Sequence, residues 1–273
     1  MEMNLVIIDA LNLIRRIYAV QERQFNPASV APGQTIDVNG VSVPPVVANT
    51  VNALESAIRK IINLKRPTHM VAVFDGIRQS WRHEIFPEYK AKRPPMPEQL
   101  AEHFSTIKQA FINQDIPLVE PDNHEADDVI ATIACRVAHS GNHATIISTD
   151  TGFMQLHSDL IHLFDYFNRR DIDNQWIEQK FNVKPHQLVN YWSLVGSNSN
   201  NIPGVKGIGP GSATDIITNY PSLKAALESE TLKPSIKKKL KDNIAEFKLC
   251  RQLLTLKTDI PLGINLKDLR VRT

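Results

Sequence analysis

Six carboxylates are spaced so that they can share one cation. Asp9, Asp75 and Asp150 each end an apolar, β-branched run: Leu5-Val-Ile-Ile-Asp9, Met70-Val-Ala-Val-Phe-Asp75 and Ala144-Thr-Ile-Ile-Ser-Thr-Asp150. The other three lie in Glu125-Ala-Asp127-Asp128, directly before the helical-looking Val129-Ile130-Ala-Thr-Ile133-Ala. Open α/β sheets form their ligand sites beyond the carboxyl ends of parallel strands, so strand-end acids gather negative charge there. Such a gathering is tolerable only beside cations, and hard oxygen donors suit Mg²⁺, which keeps several of its waters. The chemistry that follows is magnesium-dependent phosphodiester hydrolysis, in which the ion activates water and offsets developing charge. Asp127, Asp128, Glu125, Asp9, Asp75 and Asp150 are therefore the candidate metal ligands. An acidic helix start by itself more often serves the macrodipole, and a strand-end Asp more often forms a turn. Only the combination points to a metal.

Competing chemistries fit worse. A phosphatase of the Asp-x-Asp type needs an acid at position 11, which is Leu11. The phosphate-cradling Gly-x-x-x-x-Gly-Lys-Ser/Thr motif is absent, and no His-Glu-x-x-His zinc motif occurs among the nine histidines.

A basic stretch closely follows Asp75: Ser80-Trp81-Arg82-His83-Glu84-Ile85-Phe86-Pro87-Glu88-Tyr89-Lys90-Ala-Lys92-Arg93-Pro94-Pro95-Met96-Pro97. Cations interleaved with aromatics suit backbone phosphate and unpaired bases. Arg82, Lys90 and Arg93 are the candidate catalytic cations, clamping the scissile phosphate where charge develops. Further on, Gly207-Ile208-Gly209 before Pro210-Gly211-Ser212 has the form of a helix-hairpin-helix turn. Glycines there admit a tight turn and let a phosphate approach the amides that open the next helix. Gly207, Ile208, Gly209, Pro210, Gly211 and Ser212 are the candidate DNA-binding residues, reading backbone and not bases. The hairpin's carbonyl groups could also hold a monovalent cation. Lys237-Lys238-Lys239 reads as a solvated helix face.

The elements that must position these groups alternate. A strand ending at Asp9 precedes a helix over Leu11–Tyr18, and Phe25–Pro45 reads as a long loop. Val47, Val51, Leu54, Ile58, Ile61 and Ile62 have helical spacing and predict a helix over Val46–Leu64. A helix over Pro97–Gln114, a short strand at Ile116–Glu120 and a strand at Ile161–Phe164 are also expected. This alternation predicts an α/β fold with a mostly parallel sheet and helices on both faces. After about Asn168 helical and turn-rich sequence takes over, giving a nuclease core over 1–170, a small helical domain over 171–262 and a tail over 263–273.

Composition bounds the partners. The formal net charge is only +2, so any nucleic-acid surface must come from local clustering. Cys135 and Cys250 are far apart and form no CxxC, as expected of free thiols in a reducing compartment. No signal peptide or membrane span fits the apolar runs, so a cytoplasmic protein without a membrane partner is expected.

Taken together, these residues resemble the 5′-nuclease (flap endonuclease) family, including the 5′→3′ nuclease domain of bacterial DNA polymerase I. The landmarks are Ile8-Asp9, Val73-Phe74-Asp75, Tyr89-Lys90-Ala-Lys-Arg93-Pro-Pro-Met-Pro97, Glu125-Ala-Asp-Asp128, Ser148-Thr-Asp150 and Asn201-Ile-Pro-Gly-Val-Lys-Gly-Ile-Gly209, collinear over nearly the whole chain. No polymerase sequence follows, so the resemblance is to the family's stand-alone branch. It implies a PIN-like nuclease core, an arch built from the basic segment, a helix–three-turn–helix domain and cleavage of 5′ flaps at single-strand/duplex DNA junctions by a monomer. Asp9, Asp75, Glu125, Asp127 and Asp128 then fall on the first metal site, and Lys90 and Arg93 on the arch cations. A potassium ion is implied at main-chain oxygens of Leu194, Val195, Pro203, Val205 and Ile208. The chain departs from the family at Asp150-Thr151-Gly152 and at Gly196-Ser197-Asn198-Ser199-Asn200-Asn201, where three carboxylates of a second metal site are missing. One strongly held Mg²⁺ and a weak second are expected. The alternatives are a structure-specific branched-DNA-binding protein with little or no catalysis, and an RNase of the broader PIN type.

Overall fold

The computed structural model describes residues 3–26, 31, 33–76 and 79–271. Part of the expected Phe25–Pro45 loop, residues 27–30 and 32, lies outside these, as do residues 77 and 78, just before the basic segment.

Apolar, β-branched runs become the strands. The main sheet holds β1 (Asn4–Asp9), β4 (His69–Val73), β5 (Leu118–Val119), β6 (His143–Ile147), β7 (Ile161–Asp165) and β8 (Arg170–Asp171), in the order β5-β4-β1-β6-β7-β8. All neighbours are parallel except β7 and β8. Alternate residues of β1 enter opposite cores: Leu5 and Ile7 on one face, Val6 and Ile8 on the other. A strand buried on both faces must read as a continuous apolar run, which explains Leu5-Val-Ile-Ile8.

Helices α1 (Ala10–Gln24), α2 (Pro45–Lys65) and α5 (Phe104–Ile112) cover the Val6/Ile8 face through Leu13, Leu54, Ile58 and Phe111. Proline at its first turn starts α2, and Arg66 ends it in the left-handed region at φ 44°. The helix expected over Pro97–Gln114 is two, α4 (Glu98–Glu102) and α5, because His103 leaves helical geometry at φ −105°, ψ 20°. A small hairpin, β2 (Ile36–Val38) and β3 (Val41–Val43), replaces part of the expected loop. The basic segment opens with the short helix α3 (Trp81–Ile85).

The opposite face carries α6 (Ala126–His139) and the C-terminal helices α7 (Asn174–Phe181), α8 (Leu188–Val195), α9 (Pro210–Asn219), α10 (Leu223–Glu228), α11 (Pro234–Asp242) and α12 (Ile244–Leu254). Apolar packing runs without a break from Val129 and Ile133 of α6 to Leu188, Trp192, Ile208 and Phe247. The sheet stops at Arg170–Asp171, but the core crosses that point. The last described residues return to the sheet, where the Val271 amide donates to the Thr68 carbonyl at 3.0 Å and Leu269 is buried.

Candidate metal centre

Parallel strands deliver three of the acids to one edge. Asp9 is both the last residue of β1 and the N-cap of α1, accepting from the Asn12 amide at 3.2 Å. Asp75 follows β4 and caps α6 through the Ala126 amide at 3.0 Å. Asp150 follows β6 and accepts from the Gly152 amide at 2.7 Å. Helix α6 delivers Asp127 in its first turn. The Ser148 hydroxyl ties two of them, donating to Asp9 Oδ2 at 2.7 Å and accepting from the Asp150 amide at 3.0 Å.

These four acids feel one another's charge. Burial, above all, pushes the Asp9 carboxyl from 3.8 up to about 7. The Ser148 hydroxyl and Asn12 amide oppose that rise, while the charges of Asp150 and Asp75 add to it. Asp127 is held well above the ordinary carboxylate range by burial; Lys90 opposes this, and Asp150, Asp9 and Asp75 add to it. Carboxylates crowded and desolvated until they favour their protons are what a cation site presents before its cation arrives. The donors fit a divalent ion held partly through water. Among the described residues no three acidic, His or Cys side chains stand in closed metal-ligating proximity.

The remaining two acids are turned elsewhere, which corrects the expected ligand set. Asp128 is fully buried, and four donors saturate its oxygens: Arg82 Nη2 at 2.7 Å and the Lys257 amide at 3.0 Å on Oδ1, Arg82 Nη1 at 2.8 Å and Trp81 Nε1 at 2.9 Å on Oδ2. A carboxylate offers about four lone-pair sites, so none is left for a metal. Glu125 is similarly engaged by Ser80 (3.0 Å), Arg82 (2.9 Å), Tyr89 (3.2 Å) and Lys90 (3.3 Å).

Arg82 is the second correction. Expected on the scissile phosphate, it is 1% exposed. Its remaining contacts are Nε to the Leu253 carbonyl at 2.8 Å and Nη2 to that of Thr255 at 3.2 Å. With its bonds to Glu125 and Asp128, all five guanidinium donors are committed. Two buried carboxylates require a buried cation, and that requirement outweighs a role at the surface.

Lys90 and Arg93 stay at the acidic edge. Lys90, at φ 57°, reaches Glu125 at 3.3 Å and Asp127 at 3.7 Å, and these charges hold its ammonium above the ordinary range although burial acts to lower it. The turn carrying both cations is clasped by the loop at 197–201. The Lys90 amide donates to the Asn200 carbonyl (2.9 Å), Arg93 Nε to that of Ser199 (3.2 Å), Arg93 Nη2 to Asn200 Oδ1 (3.0 Å) and Asn201 Nδ2 to the Glu88 carbonyl (2.8 Å). Asn200 shares a cavity of about 30 Å³ with Asp127 and Asp150.

In the helical part, the turns at Gly196 and Gly204 touch backbone to backbone. A Cβ on Gly196 would lie 2.8 Å from the Pro203 oxygen, and one on Gly204 2.7 Å from that of Leu194. The Val205 amide donates to Leu194 O at 2.8 Å and the Ile208 amide to Val205 O at 3.0 Å. Carbonyl-bearing backbone of Leu194, Val195, Pro203 and Val205 is thus gathered around one turn. Ile208 is buried in the core, while nothing lies within 4 Å of a Cβ on Gly209 or Gly211, leaving the start of α9 at Pro210 and Ser212 open. Lys239 of α11, read from sequence as a solvated face, donates to the Gly207 carbonyl at 2.9 Å.

Sequence reasoning passed over Ser80, Trp81, Tyr89 and Ser148 as partners of the acids. Ser148 carried a signal, a hydroxyl two residues before a strand-end Asp. Trp81 and Tyr89 carried none, since their indole and phenol reach across 47 and 36 residues.

Residues 4–182 match the 5′-3′ exonuclease N-terminal, resolvase-like domain, and residues 183–273 match the 5′-3′ exonuclease C-terminal SAM fold. The chain belongs to the 5′-3′ exonuclease family. Among its relatives is the protein named Flap endonuclease Xni of Colwellia psychrerythraea, 45% identical over 273 residues, 100% of this chain and 93% of that one. Its namesake of Aeromonas salmonicida is 42% identical over 271 residues, 98% and 96% of the two chains. The structure resembles the T5 D15 protein crystallized with metal ions, with TM-score 0.70, 23% identity and coverage of 92% of this chain and 88% of that one. That likeness speaks for the PIN-like core with its helical partner. No helix among the described residues is long and apolar enough to cross a membrane.

Proposed function

We propose that this chain is a divalent-metal-dependent flap endonuclease that cuts 5′ flaps where single-stranded DNA meets duplex. One observation carries this reading: acids from three parallel strands and a helix start meet at one edge, with Asp9 raised to about 7 by burial. Asp9, Asp75, Asp127 and Asp150 would hold Mg²⁺, with Glu125 and Asp128 shaping the site from behind through Arg82. When bound, the ion supplies positive charge for the phosphodiester and makes its water a better nucleophile. Lys90 and Arg93 would address the scissile phosphate, and Lys90 would be free to turn from Asp127 wherever a bound ion offset that carboxylate's charge. A second ion would be held weakly, because Ser197, Asn198, Ser199 and Asn200 offer neutral oxygens.

The open backbone at Gly209, Pro210, Gly211 and Ser212 would receive duplex phosphates, with Gly207 beside it under the Lys239 ammonium and Ile208 as the core anchor beneath. Oxygens of Leu194, Val195, Pro203, Val205 and Ile208 would hold K⁺ next to them. The working division is a nuclease core over 1–170, a DNA-binding domain over 171–262 and a tail over 263–273, acting as a cytoplasmic monomer on branched DNA.

A labelled 5′-flap duplex with Mg²⁺ tests this. Wild type should release the flap, and Asp127→Ala should slow release by about a hundredfold or more. Wild-type cleavage no faster than a metal-free control, or Asp127→Ala cutting like wild type, would overturn it and leave a branched-DNA-binding protein. Equal cutting of RNA and DNA flaps, insensitive to Gly209→Val, would point to the broader RNase reading.

A further inference from the structure

Beyond Asp150 the carboxyl edge of the sheet opens into a second cleft, of about 180 Å³. Arg16, Thr149 and Asp150 line its near side, and Arg170, Trp176 and Lys180 its far side. Arg170 and Lys180 share one indole, each 4.6 Å from the Trp176 ring centroid. Two like charges drawn onto a single ring repel, and Lys180 is pushed below the ordinary lysine range by burial and by Arg170. Neither Arg16 nor Lys180 has a carboxylate at salt-bridge distance among the described residues; Arg170 reaches only Asp165, at 4.0 Å. The Asp165 oxygens are themselves committed to the Phe167 and Asn168 amides and the Asn168 side chain. Three cations thus face two acids in a cleft floored by apolar side chains, a setting that favours an anion.

Its place in the fold says which anion. Asp150 follows the carboxyl end of β6, and Asp165 and Arg170 sit at the same end of β7 and β8, the next strands out. Neighbouring strands lie about 4.8 Å apart, so the cleft is one strand's step from the acidic centre and shares Asp150 with it. A nucleic-acid strand crossing that edge would bring consecutive phosphates over the two places in turn.

We propose that this cleft is a phosphate subsite, in which Lys180, Arg170 and Arg16 hold a backbone phosphate of the strand whose neighbouring linkage lies at the acidic centre. The proposal rests on the nuclease reading. Lys180 supplies a point charge and Arg170 a fork, each already aligned by Trp176.

The test measures binding of a labelled 5′-flap duplex in EDTA as a function of KCl, for wild type, Lys180→Ala, Lys180→Gln and Arg170→Ala. Each variant should lower the dependence of log K on log [KCl] by roughly 0.7 to 0.9 and weaken low-salt binding roughly three- to tenfold. A single methylphosphonate linkage, walked along the cleaved strand, should weaken wild-type binding at one position and add nothing in Lys180→Ala. Salt dependence unchanged in all three variants overturns the subsite. So does competition by inorganic phosphate with no methylphosphonate position coupled to Lys180, which would make this a small-anion site. Failure of wild type to bind the flap at all would sink the nuclease reading itself; normal binding without these couplings sinks only the subsite.

Discussion

Arg82 is the residue on which the acidic centre turns. Its guanidinium lies between Glu125 and Asp128 at 2.7–2.9 Å and is closed off by the Leu253 and Thr255 carbonyls. Removing one partner of a buried pair leaves an uncompensated charge, which costs about 3–5 kcal/mol. Arg82→Ala should therefore lower unfolding free energy in urea by about that amount. A variant within about 1 kcal/mol of wild type that nonetheless failed to cleave would return Arg82 to the phosphate. Asp127, two residues from Glu125, has the opposite surroundings: among the described residues Lys90 is its only ion-pair partner, at 3.7 Å.

At the scale of elements, the loop at 197–201 sets the turn that bears Lys90 and Arg93. The acceptors are neutral, so Arg93 keeps its full charge while its direction is fixed by Ser199 and Asn200. Asn200→Ala should speed tryptic cutting after Lys90 and Lys92 several-fold without DNA present. It should also slow flap cleavage roughly tenfold, the effect expected for one lost hydrogen bond to a charged group. The effect should not add to that of Arg93→Ala, since the two residues act through one contact. Proteolysis at the wild-type rate, or full additivity, would show that the turn holds its shape without the loop. The elements themselves were largely readable. The strand ending at Asp9 and the strands that stop two and three residues short of Asp75 and Asp150 follow from continuous apolar runs, and α2 from its spacing. The break at His103 was not readable, because it carries no strong local pattern, whereas the β2/β3 hairpin was readable and was passed over: Asn39-Gly40, both at positive φ, lies between the alternating runs Ile36-Asp37-Val38 and Val41-Ser42-Val43.

For the whole molecule, charge repulsion at the sheet edge couples stability to pH and metal. Asp9 binds its proton more tightly folded (about 7) than its ordinary value of 3.8 allows. Between those values the folded state holds more protons than the unfolded one, so stability declines as pH rises, and the loss is complete above about 7. In EDTA the Tm should fall from about pH 5 to about pH 8, and the Tm gain from added Mg²⁺ should grow over the same range, because the ion replaces the proton. An Mg²⁺ gain that is equal at both ends would mean that Asp9 does not face the ion.

The sequence by itself determined the parallel α/β core, the strand-end positions of Asp9, Asp75 and Asp150 and the acidic start of α6, because apolar period and strand-end chemistry are local properties. It also marked the Gly207–Ser212 turn, since only glycine-rich chain folds that tightly. The tertiary structure alone decided how six acids divide into four gathered at the carboxyl edge of the sheet and two that face Arg82. It likewise decided that Arg82 is interior, that Asn200 directs Arg93, and that Arg170 and Lys180 meet over Trp176. Those outcomes depend on which lone pairs and donors are already taken by residues scores of positions away, and no local pattern records that occupancy.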